Sequence, residues 1–342
     1  MTRLVFVTQQ VDREHPTLGA AADMVAALAA RFDEVVIIAA AATVDALPAN
    51  VRFRSFAAPT QLLRGLRFEA VLARELARGR PTALLAHMSP VYVVLAAPLL
   101  RPLRVPVLLW FTQQQAGANF YRSLRGVDAI LSVDERSVPV SSPKIRAIGH
   151  GIDTDGFECA ERRPRHDGVR LLSLGRYSKV KGHDVAVRAL PALRGASLTV
   201  RGEEATPNDS IVRARLAALV CELGLEGRVH LLDAVPRGEV PGLFADADVL
   251  VNATHGMSAD KVVFEALAAC TPVVAASPVF DGLLPSELRF TDGDPAGLAT
   301  AIRAATALPE SERRRLRARV EAEHSVEHWA DEVVTAVRLA RG

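Results

Sequence analysis

Short runs of apolar residues alternate with longer amphipathic stretches along most of this chain. The apolar runs show no polar alternation, which is typical of parallel strands covered by helices on both faces. Strands that alternate with helices in this way predict a doubly wound parallel α/β sheet. The first series comprises strand Leu4–Thr8, helix Leu18–Arg31, strand Val35–Ala39, helix Arg67–Arg78, strand Ala83–His87, helix Val91–Leu100, and strands Val107–Phe111 and Ala129–Val133.

The same rhythm restarts after Gly149-His-Gly-Ile-Asp153, beyond a surface loop at Arg162–Gly168. We therefore predict two α/β domains, at residues 1–150 and 151–325, in a chain long enough for two cores. Ligands of such sheets bind at the carboxyl ends of the strands. The second series comprises strand Arg170–Leu174, helix Asp184–Leu193, strand Leu198–Arg201, helix Ile211–Leu223, strands Val229–Leu232, Val240–Phe244 and Val249–Asn252, helix Lys261–Ala269, and strand Val273–Ala275.

Composition narrows the class of protein. Of 342 residues, 49% are hydrophobic, and 41 Lys and Arg nearly balance 39 Asp and Glu, for a formal charge of +2. A dedicated nucleic-acid binder should show a strong basic excess, so we expect no nucleic-acid partner. The widely separated Cys159, Cys221 and Cys270 predict a reducing cytoplasm rather than a disulfide scaffold. No Cys or His spacing suggests a structural metal site.

No stretch predicts export or membrane insertion. The first apolar run is too brief for a signal peptide, and Val91–Leu100 is too short to span a bilayer. We therefore expect a cytoplasmic protein. Residues 61–80 form a basic amphipathic stretch with two open interpretations. In the first, the stretch makes a weak peripheral contact with the inner face of an anionic membrane. In the second, it is an ordinary domain helix with a solvated arginine face.

The segment Leu172-Ser-Leu-Gly-Arg-Tyr-Ser-Lys-Val-Lys-Gly-His183 is the strongest candidate for chemistry. It predicts a buried strand, a loop with Gly175, Arg176, Lys179 and Lys181, and then a helix. Cations beside a helix N-terminus suit a phosphate, because free N–H groups, partial positive charge and charge-assisted hydrogen bonds converge there. A solvated basic loop is the alternative.

A second segment, Ser258–Ala275, predicts a loop, an amphipathic helix, a turn and a buried strand. Glu265 lies among apolar neighbours on that helix, and a carboxylate so placed needs polar partners. The two hydroxyls of a ribose would serve. The alternative is a glutamate at the helix edge, paired with an Arg or Lys.

Together the two segments resemble the C-terminal half of a family 4 retaining glycosyltransferase, one of the glycosyl transferases group 1. The family pattern of Gly-Arg, a spacer and Lys-Gly matches Gly175, Arg176, Lys181 and Gly182. The family pattern Glu-Ala-Met-Ala-x-Gly-x-Pro-Val-Val matches Glu265-Ala-Leu-Ala-Ala-Cys-Thr-Pro-Val-Val274.

Weaker matches at Asp233–Asp248 and His150–Asp153 extend the resemblance over nearly the whole chain. It implies the GT-B fold, in which two Rossmann-like doubly wound domains face each other across a cleft. The helix at 326–342 would pack back on the N-terminal, acceptor-side domain. The C-terminal domain would bind a nucleotide sugar as donor substrate, with no metal or other cofactor.

The resemblance also implies roles for individual residues. Arg176 and Lys181 would bind the donor diphosphate, and Glu265 would hold the ribose hydroxyls. The loop Thr17-Leu-Gly-Ala20 resembles the family's glycine-rich loop, of whose glycine pair only Gly19 remains. The residues implied for the donor are Gly19, Gly175, Arg176, Lys181, Met257, Ser258, Ala259, Asp260, Lys261, Val262 and Glu265.

The chain departs from its relatives eight positions before Glu265, where they carry a second carboxylate that touches the donor sugar. Met257 stands there, and an unpaired sugar hydroxyl in a closed site costs about 1–3 kcal/mol. Three interpretations stay open. Asp260 takes the role, the donor sugar has fewer or altered hydroxyls against which a methionine packs, or activity has been lost.

Two further departures concern catalysis. Gln113 follows a strand where many relatives have a histidine, and it can hydrogen-bond but cannot carry a proton. His87 ends another strand and is the candidate acceptor-side residue, with a buried helix-capping histidine as the alternative. Cys270 replaces a glycine and is predicted to be a packing residue, not a nucleophile. The predicted catalytic set is Arg176, Lys181, His87 and Gln113.

We therefore predict a retaining glycosyltransferase that moves a sugar from a nucleotide-diphosphate sugar to an acceptor hydroxyl on a small molecule, a glycan or a lipid-linked molecule. The rivals are a nucleotide-sugar epimerase of the same fold and a non-catalytic nucleotide-sugar binder. Met257 and Gln113 are the departures that motivate the second rival, the binder. A nicotinamide dehydrogenase is disfavoured, because no Gly-x-Gly-x-x-Gly follows the first strand of either domain.

Overall fold

The computed structural model describes residues 2–13, 19–159 and 168–341. The chain forms two compact units, residues 1–153 together with 323–342, and residues 154–322. Each unit is built on its own parallel sheet. The loop predicted at Arg162–Gly168 lies outside the described residues, apart from Gly168.

The strands are short and mostly buried. In the part of the chain that the structure describes they are β1 Arg3–Val7, β2 Gln10–Val11, β3 Glu34–Ala39, β4 Ala41–Ala42, β5 Val51–Ser55, β6 Ala83–His87, β7 Val107–Trp110, β8 Ala129–Ser132, β9 Ile145–Ala147, β10 Arg170–Leu174, β11 Ser197–Gly202, β12 Val229–Asp233, β13 Val249–Asn252 and β14 Val273–Ala275.

The helices alternate with these strands, and no described helix is long and apolar enough to cross a membrane. They are α1 Ala20–Ala29, α2 Gln61–Ala77, α3 Pro90–Leu100, α4 Ala118–Ser123, α5 His183–Ala189, α6 Pro207–Glu222, α7 Val240–Asp246, α8 Lys261–Ala268, α9 Pro295–Thr306, α10 Glu310–His324 and α11 Val326–Leu339.

The first unit has a seven-stranded sheet in the order β5-β3-β1-β6-β7-β8-β9, all parallel. Helices α2, α3 and α4 cover one face, and Phe68, Tyr92 and Phe120 join that face in one apolar core. On the opposite face α11 packs on α1, and the ring of Trp329 meets Trp110 edge-on, with centroids 5.8 Å apart. Both faces of the sheet are therefore buried, which explains the unbroken apolar runs.

The second unit has a five-stranded parallel sheet in the order β12-β11-β10-β13-β14. The chain starts at the central β10, runs outward through β11 and β12, and returns to the other side of β10 with β13. Its direction of winding therefore reverses between β10 and β13. In open α/β sheets, ligands bind at such a switch point, outside the carboxyl ends of the strands.

The predicted doubly wound α/β class is confirmed, and some elements differ. The prediction of a strand at Val240–Phe244 is wrong, because α7 occupies that segment. Pro241 fits the first turn of a helix, where its missing N–H would have no partner. Helix α2 begins at Gln61, six residues before the prediction, and the side chain of Thr60 caps it by accepting from the Leu63 amide.

The expectation that the cysteines indicate a reducing compartment rather than disulfide bonding is wrong for one pair, because Cys159 and Cys270 form a disulfide. Their Cα atoms lie 4.9 Å apart although 111 positions separate them in sequence. Distance along the chain is a poor guide, since folding places the start of the second unit beside the turn that follows α8. Cys221 is free and exposed. The cysteines therefore no longer support a reducing compartment, and the cytoplasmic location stays a prediction.

Reducing the Cys159–Cys270 disulfide should destabilise the second unit by about 2–4 kcal/mol, the usual contribution of a native disulfide. A fall in melting temperature of about 10 °C is then expected in thiol reductant. Cys159→Ser should show the same fall without reductant, whereas Cys221→Ser should behave as wild type. Three titratable thiols in the oxidised, denatured chain would contradict the bond.

Candidate active site

The candidate site lies at the carboxyl ends of β10 and β13. The loop from Gly175 to Gly182 follows β10, and the loop from Ala253 to Asp260 follows β13. The two loops touch, because the amide of His255 donates to the carbonyl of Val180 at 2.8 Å. The two segments that the sequence singled out are therefore neighbours at the switch point of the second sheet.

Two glycines allow this close approach. Gly182 has φ +61°, and a side chain there would overlap the carbonyl oxygen of Ala253. Gly175 has φ +149°, and a Cβ atom would lie 3.0 Å from the side-chain carbons of Lys181. Any other residue would be strained at both positions, and one at Gly182 would also push the two loops apart. The Gly-Arg and Lys-Gly pairs are therefore required by the backbone as well as by chemistry.

A buried histidine fastens the cationic loop to the sheet. His183 Nε2 lies 3.3 Å from the carbonyl oxygen of Gly175 and 3.2 Å from that of Arg176, and Nδ1 lies 2.9 Å from Ser173 Oγ. Carbonyls only accept, so Nε2 carries the proton and Nδ1 accepts from the serine. Burial lowers the pKa of His183 to about 4, against the opposing effect of the two carbonyls.

His183 should make stability depend on pH. Its pKa in the folded state lies below the unfolded value near 6.5, so its contribution is complete above pH 6.5 and is lost as the pH falls towards 4. Over that window the loss is about 3 kcal/mol. His183→Gln should show a shallower fall in urea stability between pH 6.5 and 4. Parallel curves for the two proteins would contradict this assignment.

Lys181 is held by the largely buried carboxylate of Asp260, whose side chain is 12% exposed. Its Nζ lies 2.8 Å from both oxygens of Asp260, which also accept from Asn252 Nδ2, Thr254 Oγ1 and Ser258 Oγ. Burial alone would raise the pKa of Asp260, but the charge and hydrogen bond of Lys181 hold it well below its usual range. The carboxylate is therefore ionised. The lysine has three N–H donors, so at least one stays available for a ligand.

Arg176 differs from Lys181 in having no bound counter-charge. Its side chain is exposed, and within residues 2–13, 19–159 and 168–341 no side chain pairs with its guanidinium. Lys179, two residues before Lys181, is likewise exposed. The guanidinium of Arg176 has no side-chain counter-charge, and the ammonium of Lys181 is fixed by Asp260. Two such cations in one loop are suited to a dianionic phosphate group, which offers several acceptor oxygens.

Glu265 combines features of both interpretations offered by the sequence. It is buried, as a ligand anchor would be, and it is paired with cations, as a structural glutamate would be. Arg237 Nη1 lies 2.8 Å and Lys261 Nζ 3.3 Å from the same atom, Oε1. Burial would raise the pKa of Glu265, but the charges of Lys261 and Arg237 lower it. In the described part of the chain no hydrogen bond reaches Oε2, which is the oxygen left for a hydroxyl.

The remaining predicted donor residues line the same loop. Met257 is 39% exposed, Ala259 is buried and Val262 is partly buried. An open groove of about 770 Å³ passes beside Met257, and its walls include Phe290 and Asp292. Lys181, Asp260 and Glu265 do not line it. Met257 therefore faces open space next to the charged cluster.

The predicted residues of the first unit lie at the carboxyl end of its sheet or at a helix start. His87 ends β6 and is buried, with Nδ1 3.1 Å from Thr8 Oγ1. Burial and the neighbouring His150 lower the pKa of His87 to about 4, so its ring is neutral at pH 7. Gln113 is exposed after β7, and Gly19 immediately precedes α1. Thr17 and Leu18 of this loop lie outside the described part, and Ala20 is the first residue of α1.

Several residues that contact Lys181, Asp260, Glu265 or their loops were not singled out in the sequence. Asn252 and Thr254 hold Asp260, Arg237 holds Glu265, and Asp292 accepts from His255 and from the Gly256 amide. The signal that could have found Asn252 and Thr254 is their position, since polar residues at the end of a buried parallel strand point to a ligand site. Arg237 and Asp292 carry no such signal, because only folding brings them near.

Comparison with known proteins identifies the class. Residues 168–307 match the family model of glycosyl transferases group 1. The chain is 32% identical to the glycogen synthase of Mycobacterium tuberculosis over 185 residues, which are 51% of this chain and 43% of that protein. It is 30% identical to the D-inositol 3-phosphate glycosyltransferase of Mycobacterium leprae over 211 residues, 58% of this chain and 42% of that protein. The chain thus covers less than half the length of these relatives.

Solved structures show the fold over nearly the whole chain. A glycosyltransferase from Rickettsia africae matches with a TM-score of 0.79 at 15% identity, covering 99% of this chain and 98% of the other. Anabaena HepE, solved in complex with UDP and glucose, matches with a TM-score of 0.78 at 16% identity over 99% and 100%. The fold is that of GT-B glycosyltransferases. Residues 168–307 match the glycosyl transferases group 1 model, and the resemblance predicted from the motifs is confirmed.

Proposed function

We propose that this protein is a retaining glycosyltransferase that moves a sugar from a nucleotide-diphosphate sugar to an acceptor hydroxyl. One observation carries the proposal. At the switch point of the second sheet, an exposed guanidinium, an oriented ammonium and a buried carboxylate with one uncommitted oxygen lie on two touching loops. These groups match a diphosphate and a ribose, the parts shared by all such donors.

The chemical role that we assign to Arg176 and Lys181 is stabilisation of the leaving group. The bond between the anomeric carbon and the diphosphate oxygen breaks, and a bond to the acceptor oxygen forms on the same face of the sugar. The acceptor proton passes to the leaving diphosphate. Arg176 and Lys181 neutralise the charge that develops on the diphosphate, and positioned donors of this kind act most strongly in a dry site. The acceptor-side roles of His87 and Gln113 stay predictions.

Asp260 is better suited to positioning Lys181 than to touching the sugar. Both of its oxygens are already occupied by Lys181, Asn252, Thr254 and Ser258. A sugar hydroxyl would have to displace one of them. This occupancy favours the interpretation in which Met257 contacts a sugar with fewer or altered hydroxyls.

The comparisons support the donor class and leave the acceptor open. HepE has been solved in complex with UDP-glucose, so a nucleoside-diphosphate sugar is the donor that we propose here. The relatives' names refer to glycogen and to inositol phosphate, two acceptors of different size. We also propose metal-independent transfer, supported by the two cations that face the diphosphate. Transfer should then survive EDTA.

A panel of nucleoside-diphosphate sugars tests the proposal. Ligands that bind only the folded state raise its melting temperature, which selects the donor. Transfer to an acceptor panel is then followed by NMR of the new anomeric centre, where retention is expected. Donor binding without transfer or hydrolysis would favour a non-catalytic binder. Epimerised sugar without acceptor consumption would favour an epimerase.

A further inference from the structure

A histidine and a carboxylate form a pair at the loop that follows β13, two positions before Met257. Nδ1 of His255 hydrogen-bonds to Oδ1 of Asp292, and Oδ2 of Asp292 accepts from the amide of Gly256 at 3.1 Å. The amide of His255 donates to the carbonyl oxygen of Val180 at 2.8 Å, in the loop that follows β10. Contacts from two other segments therefore fix both the ring and the backbone of His255.

The contact with Asp292 decides what the other ring nitrogen of His255 can do. An ionised carboxylate only accepts, so the proton of the neutral imidazole lies on Nδ1, and Nε2 carries a lone pair. In the described part of the chain no hydrogen bond reaches Nε2, and the side chain of His255 is 36% exposed. Gly256, Met257 and Asp292 line the open groove described above. The neutral ring of His255 therefore offers an oriented hydrogen-bond acceptor beside that groove.

The place of this pair along the second sheet suits the sugar end of a donor. The partners of Glu265 and His255 come from opposite ends of the strand order β12-β11-β10-β13-β14. Arg237 reaches Glu265 from the loop after β12, and Asp292 reaches His255 from the segment between β14 and α9. The cationic loop at Gly175–Gly182 follows the central β10. Ribose and sugar lie at opposite ends of the diphosphate, so a ribose at Glu265 sends the sugar towards the groove on the β14 side.

We propose that His255 is a specificity-determining residue of the donor site, whose Nε2 accepts a hydrogen bond from a hydroxyl of the donor sugar. Asp292 is the residue that positions it. A sugar hydroxyl meets this acceptor without displacing a contact, whereas both oxygens of Asp260 are already occupied. Met257, which is 39% exposed, packs against a less polar edge of the same sugar. The inference rests on the proposed function and specifies how its donor sugar is recognised.

Calorimetry on the full chain separates the sugar contact from the rest of the donor. The probes are UDP, GDP and ADP, each beside its glucose form, UDP-glucose, GDP-glucose or ADP-glucose. His255→Phe keeps an aromatic ring and the backbone bond to Val180 but has no acceptor. The glucose forms should bind this variant about 2- to 10-fold more weakly than wild type, the usual effect of one neutral hydrogen bond, and the diphosphates should bind both alike.

Two further variants make the loss specific to the acceptor atom. His255→Gln retains a side chain that can accept a hydrogen bond, and it should recover part of the affinity for the glucose forms. His230→Phe makes the same substitution at an exposed histidine of β12 and should leave every affinity unchanged. The melting temperature of each variant shows that it is folded at the temperature of the titration.

Asp292→Ala tests the positioning role. It should also weaken binding of the glucose forms and not of the diphosphates, and it should cause little further loss when combined with His255→Phe, because the two residues act as one unit. In His255→Phe, unchanged affinities, or equal losses for the glucose forms and the diphosphates, would overturn the inference and leave the proposed function intact. If wild type bound none of the three diphosphates, the proposed function would fail, and this inference with it.

Discussion

Arg176→Ala is expected to reduce sugar transfer by about 10²–10³-fold in kcat, the usual effect of removing one preorganised group that stabilises developing charge. The fold should be unaffected, because the guanidinium is exposed and pairs with no side chain in the described residues. An exposed substitution of this kind changes the free energy of unfolding by less than about 0.5 kcal/mol. The two measurements are initial rates with a saturating donor and the melting temperature.

Lys179→Ala is the matched control. It removes a cation from the same loop, two residues from Lys181, and should retain activity near wild type. Equal losses in Lys179→Ala and Arg176→Ala would show that the loop contributes only general positive charge. Full activity of Arg176→Ala would contradict the diphosphate assignment.

Lys181→Ala should reduce transfer at least as strongly as Arg176→Ala, but with a cost to stability. It leaves the largely buried carboxylate of Asp260 without its cation, and breaking such a pair from one side costs up to about 3–5 kcal/mol. The double variant Lys181→Met, Asp260→Asn removes both charges and should recover most of that stability without recovering transfer. Comparing the single variant with the double variant therefore separates the chemical role of Lys181 from its structural role.

The sequence contained enough to predict the sheets and the loop glycines. Buried parallel strands such as β6 and β10 are mostly apolar, with Ser173 the one polar residue inside β10, and the predicted bounds of both match the structure. The prediction of a strand at Val240–Phe244 was wrong because a short apolar run does not distinguish a strand from a short helix. β5 was missed because it is an edge strand whose arginines alternate with apolar residues, and all its residues are only partly buried.

The candidate site was predictable only where one segment carries the whole signal. Arg176 and Lys181 lie in one loop and were found together. Asn252 and Thr254 lie close to Asp260 in sequence, and the overlooked signal was their position at the end of β13. Arg237, which pairs with Glu265, comes from another element 28 positions away, and nothing local links the two. The Cys159–Cys270 disulfide was missed for the same reason, since both cysteines meet only after the second unit has folded.

Glu265→Gln should weaken binding of the nucleoside diphosphate by about 10- to 100-fold, because a hydrogen bond to a charged acceptor contributes about 1.5–3 kcal/mol. Oε1 is committed to Arg237 and Lys261, so the ribose would bind at Oε2. The variant also leaves those two cations without their carboxylate, and its melting temperature should fall. Binding is therefore measured calorimetrically, well below the unfolding transition.

The 2′,3′-dideoxy form of the same nucleotide separates the two effects of Glu265→Gln. It has no ribose hydroxyls, so wild type should bind it about as weakly as the variant does, and the variant should lose little further. This pattern is a coupling between the glutamate and the hydroxyls, which a purely structural carboxylate would not show. Equal losses for both nucleotides would mean that Glu265 serves only to hold Arg237 and Lys261. Glu222→Gln, at an exposed glutamate that ends α6, should change neither affinity, which makes the loss specific to the buried carboxylate.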